Sequence, residues 1–151
     1  MALKFSTGFK DAVLDTGSVK GTFDDGYITI YSGAIPADAD ASIGAAVALV
    51  TYSDNGAALG AGNGLDLEAA AVAGAISKAS AQIWKGTAGA SGTGAFFRYE
   101  QLVDSGSAST TEIRIQGTVG GGGADLFVTS TTFTSAVEYT LDMFSLTIPN
   151  L

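Results

Sequence analysis

From residue 27 onward, apolar and polar positions alternate with a period of two. Tyr27-Ile28-Thr29-Ile30-Tyr31 sets Ile28 and Ile30 on one face and Tyr27, Thr29 and Tyr31 on the other, the pattern of a strand. The second face is itself made of strand-favouring residues, so cover on both sides is compatible with it. Residues 45–52 repeat the pattern, with Val47, Leu49 and Thr51 opposite Ala48, Val50 and Tyr52. Further strands are predicted over 82–86 and 96–103, and again over 112–117. The last is the plainest half-buried strand: Ile113 and Ile115 inward, Glu112, Arg114 and Gln116 outward. Leu65-Asp66-Leu67 alternates briefly, residues 69–75 are too small-sided to indicate a direction, and 126–128 and 131–133 read as short β pieces. Between 138 and 148 one parity runs through Tyr139, Leu141 and Met143, the other through Phe144, Leu146 and Ile148. That switch predicts a bulge or a strand bending between two sheets.

The first 23 residues break this rhythm. Ser6 is a helix N-cap in position, Phe9, Ala12 and Val13 recur near helical spacing, and Gly17 stands where a helix stops. Residues 1–23 therefore read as a short helix or arm on a β body of residues 24–151, one domain overall. It either plugs one end of the body or docks on a neighbouring subunit. Short strands separated by turn signals every 8–12 residues or so predict an all-β fold: an antiparallel β-sandwich, jelly-roll-like, with a small closed barrel as the alternative.

Composition narrows the chemistry. The 151 residues contain 21 glycines and two prolines, but no cysteine and no histidine. No disulfide framework, zinc finger, cysteine nucleophile or Ser-His-Asp triad can be built from such a chain alone. A formal net charge of −8 argues against general binding to nucleic acid or anionic membrane. The start of the chain lacks a signal-peptide pattern, and the apolar stretch 45–50 is far short of the roughly 20 residues that span a bilayer.

The remaining motifs point away from catalysis. None of the glycine clusters matches a phosphate loop, and Gly120-Gly121-Gly122-Gly123 links two β segments. Asp38, Asp40 and Ser42 offer oxygens at alternate positions, as a calcium loop begins. The glycine comes one place late, at Gly44, and Leu49 stands where a glutamate is needed. Asp66 and Glu68 share a strand face, yet a carboxylate pair on an acidic surface is more often simply hydrated. The sequence thus yields no catalytic, metal or cofactor site. Trp84, the single tryptophan, reads as core ahead of a sugar-binding platform. Tyr27 and Tyr31 share a face, as do Phe97 and Tyr99. With Phe5, Phe9 and Val13 of the N-terminal segment they form the candidate intersubunit surface, set against ordinary cross-strand packing.

Several segments resemble a family of small virion proteins of tailed bacteriophages and prophages. They include Ser6-Thr7-Gly8-Phe9, the run from Ile30 to Ala41 (through Ile35-Pro36-Ala37-Asp38), Ile76-Ser77-Lys78-Ala79 and Trp84-Lys85-Gly86-Thr87-Ala88. Further along come Thr93-Gly94-Ala95-Phe96-Phe97-Arg98, Ser109-Thr110-Thr111 and Arg114-Ile115-Gln116-Gly117-Thr118-Val119. The last are Gly123-Ala124-Asp125-Leu126 and Phe144-Ser145-Leu146-Thr147-Ile148-Pro149. The resemblance implies a non-enzymatic structural protein of the particle: a capsid decoration or cement protein on the capsid exterior, assembled in the host cytoplasm. Its partners would be the major capsid protein or other virion proteins, and it would form homo-oligomers such as trimers. The alternatives are a neck, tail or fibre component, or a carbohydrate- or receptor-binding module with Trp84, Tyr27, Tyr31 and Tyr99 as its platform.

Overall fold

The computed structural model describes residues 2–15 and 17–147. Ile148 and Pro149, used in the sequence reading, lie outside the described residues. In chain order the elements are β1 (Lys4–Phe5), α1 (Thr7–Asp15), α2 (Val19–Phe23), β2 (Tyr27–Ser32), β3 (Val47–Asp54), β4 (Ala75–Ser77) and β5 (Trp84–Thr87). There follow β6 (Gly92–Thr93), β7 (Phe96–Glu100), β8 (Arg114–Gly120), β9 (Leu126–Phe127), β10 (Thr132–Phe133), β11 (Glu138–Thr140) and β12 (Ser145–Thr147).

The main sheet has the order β1-β8-β7-β2-β3-β5-β11, and β6–β10 and β4–β12 form two small ribbons. Pairing is antiparallel apart from β8 and β9, which run parallel across the glycine-rich link 121–125. The protein is an all-β sandwich. The strand order above is its observed topology; the jelly-roll refinement remains a reading of the sequence.

Alternation fixes what each face of this sheet does. Ile28 lies between Tyr52 and Tyr99, and Ile30 between Val50 and Phe97; Ile115 lies beside Tyr99. These side chains point to one face and are buried there with Trp84, Leu141, Phe144 and Leu146. β3 carries the sheet round to that core, pairing with β2 through Tyr52 and then with β5 through Ser53 and Asp54. The approach is close at Gly86, where a Cβ would lie 2.1 Å from the Thr51 carbonyl oxygen; only glycine fits. The parity switch at Met143–Phe144 is a change of sheet. Residues 138–140 pair with β5 and residues 145–147 with β4, leaving Met143 exposed while Leu141, Phe144 and Leu146 stay inside.

The N-terminal segment belongs to the same core. The Ser6 hydroxyl accepts from Phe9 N at 3.1 Å, the cap predicted from sequence. After it, residues 19–23 form a second short helix, capped by Ser18 accepting from Gly21 N at 3.0 Å. β1 pairs with β8. An aromatic chain runs from Phe5 to Phe9, Phe23, Tyr99 and Phe144, with ring centroids 4.6–5.5 Å apart at each step. Trp84 closes on its end, 5.6 Å from Phe144. Gly8 lets α1 settle on the 111–112 backbone, since a Cβ there would lie 2.3 Å from the Thr111 carbonyl oxygen. Removing residues 1–23 would therefore take Phe9 and Phe23 out of the core. Among the described residues no helix is long and apolar enough to cross a membrane.

Candidate functional site

The second face of the sheet corrects a sequence expectation. Arg114 and Gln116, predicted to point outward to solvent, are 0% and 1% exposed, and Arg98 beside them is 0% exposed. They do point away from the apolar core, but two polar loops, 33–46 and 101–112, lie over them. Across the strands this face reads Tyr27–Glu100–Arg114, then Thr29–Arg98–Gln116, then Tyr31–Phe96–Thr118.

Burying such groups is costly unless each finds a partner, and most of the partners here are loop carbonyls. Gln116 Nε2 donates to Pro36 O at 3.0 Å, Arg98 Nη2 to Ala41 O at 2.6 Å, and Arg114 Nη1 to Ala39 O at 3.3 Å. Lys4 Nζ reaches Ala37 O. Arg114 also grips the second loop. Its Nε and Nη2 hold both oxygens of Asp104 at 2.6 and 2.9 Å, while Nη2 also meets Ser107 O and the Glu112 carboxylate. A two-point guanidinium–carboxylate contact of this kind is the strong form of an ion pair. Arg98 Nε donates to Gln116 Oε1 at 3.0 Å, which ties the two strands' side chains together.

Glu100 is the exception. Its Oε1 accepts from the Tyr31 hydroxyl at 3.1 Å, but Oε2 is buried with no donor, and so is Arg98 Nη1 with no acceptor. Burial, and then the neighbouring Asp104 carboxylate, push the Glu100 pKa up to about 7. Burial, and then the Arg114 charge, pull Arg98 below its usual range. The Tyr31 phenol is pushed up by burial and by Glu100.

The other acidic motifs have structural partners. Burial pulls Asp40 upward, but its Oδ1 accepts from Thr7 N and its Oδ2 from Thr7 Oγ1, and these bonds hold it below the carboxylate range. It therefore closes the start of α1. Asp66 bonds Gln82 Nε2 and Asp25 N, and Glu68 accepts from Ser80 N. Among the described residues no group of three or more acidic side chains is placed to hold a metal.

The aromatic candidates are inside. Phe9, Tyr27, Tyr31, Phe97 and Tyr99 are buried within this chain, and Phe5 and Val13 are half-buried against the same core. Phe9, Tyr27, Tyr31, Phe97 and Tyr99 therefore serve packing within the chain in place of a contact surface, while Phe5 and Val13 keep part of their surface exposed. Trp84 is fully buried with its Nε1 donating to Gln82 Oε1 at 2.8 Å. Tyr99 donates its hydroxyl to the Phe23 and Leu65 carbonyls, and Tyr27 shares its hydroxyl with both backbone groups of Gly60. No stacking platform for a sugar is left among these four. What remains exposed and apolar includes Phe127 and Met143, which line one hollow of about 480 Å³ with Asp125 and Asp142.

Period-two alternation gives no way to foresee the covered polar face: a strand with charged residues on one side looks the same under solvent or under a loop. The one available signal was composition, since Arg98 and Arg114 sit among aromatic and β-branched residues on adjacent strands. Comparison with protein-family models, with curated proteins and with solved structures finds no match to this chain.

Proposed function

We propose that the protein is a non-enzymatic structural subunit of a tailed-phage particle, a decoration protein seated on the capsid exterior against the major capsid protein. The observation that carries this reading is how its polar groups are used. Four donors on the sheet, from Lys4, Arg98, Arg114 and Gln116, are tied to backbone carbonyls of one loop, which makes a stiff block with fixed surface loops. The segmental resemblance to small virion proteins supports the same reading. So does the strongly acidic composition, which keeps unassembled copies apart and away from packaged DNA. With the aromatic residues inside, contact falls to exposed apolar side chains such as Phe127 and Met143. The sugar-binding alternative loses its platform.

Mass spectrometry of purified particles, heads separated from tails, tests this. The chain is expected in the head fraction at a fixed copy number relative to the major capsid protein. Its appearance with tails alone favours the neck or tail alternative, and its absence from both overturns the reading. Phe127→Ser with Met143→Ser is expected to lower head occupancy at least tenfold while leaving the fold intact.

A further inference from the structure

Glycine follows asparagine twice in this chain, at Asn55-Gly56 and Asn63-Gly64, and follows aspartate once, at Asp25-Gly26. Such pairs are prone to a reaction between the backbone and its own side chain. Glycine has no Cβ to obstruct the approach of its nitrogen to the side-chain carbonyl before it. In a folded chain the reaction is slowed wherever that nitrogen and that side chain are already engaged, because they must first be freed by local opening.

Two of the three pairs are engaged. The Asp25 carboxylate accepts from Gly62 N at 2.8 and 2.9 Å and from Gly64 N at 2.7 Å. Gly26 is buried, and its nitrogen donates to Phe23 O at 3.0 Å. The same contacts lock the second pair. The Gly64 nitrogen is the one spent on Asp25, and Asn63 Nδ2 donates to Ala58 O at 2.9 Å. Gly64 is buried so closely that a Cβ there would lie 2.2 Å from the Asp25 carbonyl carbon.

Asn55-Gly56 differs on each count. Both residues are exposed, in the turn that leaves β3. Asn55 N is tied to Ile83 O at 2.7 Å, but Gly56 N reaches Ser53 O only at 3.4 Å, beyond the normal range. The Asn55 side-chain amide has no hydrogen-bond partner among the described residues. Both residues are left-handed, with φ of 52° and 70°. A turn of this shape favours asparagine and glycine above other residues, so the backbone itself keeps the labile pair in place.

We propose that Asn55 is a site of spontaneous deamidation in the folded protein, while Asn63 is protected by the Asp25 carboxylate. The Gly56 nitrogen attacks Asn55 Cγ, and a C–N bond forms as the Cγ–Nδ2 bond breaks. Ammonia leaves with the proton lost from the Gly56 nitrogen. Water then opens the cyclic imide at either carbonyl. The product at position 55 is aspartate, or isoaspartate with the main chain running through Cβ. Either one adds a negative charge next to Asp54, on a chain already at −8.

Incubation of the whole protein at mildly alkaline pH tests this, followed by ion exchange and peptide mapping by mass spectrometry. A more acidic species is expected to accumulate, with its modification at residue 55. Asn55 is expected to react at least about tenfold faster than Asn63 in the folded chain, and the two rates should converge in urea. Asn55→Gln, with a longer side chain, is expected to abolish most of the acidic species. Three results would each overturn the proposal: no product at residue 55, equal rates at 55 and 63 in the folded chain, or a difference that persists unchanged in urea.

Discussion

The two faces of the central sheet are made by alternate residues of the same strands, yet they are stabilised in different ways. On one face Ile28, Ile30, Phe97, Tyr99 and Ile115 meet other apolar groups, and no side chain needs a particular partner beyond the Tyr99 hydroxyl. On the other, Arg98, Arg114 and Gln116 are held by named acceptors in two loops, while Glu100 has the Tyr31 hydroxyl alone. Burial on the first face rests on area and shape, which tolerate changes of pH and salt. Burial on the second rests on hydrogen bonds and charge, which do not. The loops over the polar face are consequently ordered without strand pairing.

The largest effects break each face by its own means. Trp84→Ala removes a fully buried side chain and leaves a cavity beside Phe144, at a cost of about 3–5 kcal/mol. Arg114→Met keeps much of the volume but leaves Asp104 and Glu112 without their counter-charge, also at a cost of about 3–5 kcal/mol. Chemical denaturation at neutral pH is expected to give the two variants similar losses. A second substitution separates them: Asp104→Asn is expected to recover part of the Arg114→Met loss by removing the stranded charge, and none of the Trp84→Ala loss. No recovery in the Arg114→Met background would mean that the polar face is held by packing after all.

How far this contrast could be read from the chain differs between the faces. Ile28 and Ile30, and Phe97 with Tyr99, announce the apolar side because alternation and hydrophobicity agree there. The Ser6 cap was likewise local enough to read. Alternation alone assigns Arg114 and Gln116 to solvent, because covering them depends on contacts with Ala39 and Pro36, 75 and 80 residues away. Residues 33–46 carry no periodic signal of their own, so the cover could not be deduced from the strand or from the loop. The reading of Phe9, Tyr27 and Tyr31 as contact residues has the same origin. Nothing local distinguishes an aromatic residue covered by its own chain from one covered by another.

A smaller effect comes from Glu100. Its folded pKa of about 7 lies above its unfolded value of 4.5, so the folded state binds the proton more tightly between those limits. Stability is therefore greatest below about pH 4.5 as far as this group is concerned, falls as pH rises through the window, and levels off above about 7. Glu100→Gln removes the buried charge and is expected to stabilise the fold by up to about 3 kcal/mol at pH 8. It should make little difference at pH 4. Thermal melts of both proteins across that range measure the difference, and a parallel pair of curves would contradict the assignment.

The smallest effect sharpens the comparison within the loop 33–46 that covers the polar face, where a second carboxylate has the opposite sign. Asp40 receives the Thr7 amide and hydroxyl, so its folded pKa lies below the unfolded one. Its contribution is present above the ordinary carboxylate range and is lost as pH falls through the folded value. Asp40→Ala removes two hydrogen bonds at the start of α1 and is expected to cost about 1 kcal/mol at pH 7. That cost should shrink as pH falls through the folded value, the reverse of Glu100→Gln, which matters only on the alkaline side. Combining the two substitutions tests whether the loop 33–46 joins the sites. If α1 and the sheet respond separately, the changes in melting at pH 8 add. If the loop transmits between them through the bonds of its Ala39 and Ala41 carbonyls to Arg114 and Arg98, the two changes depart from additivity.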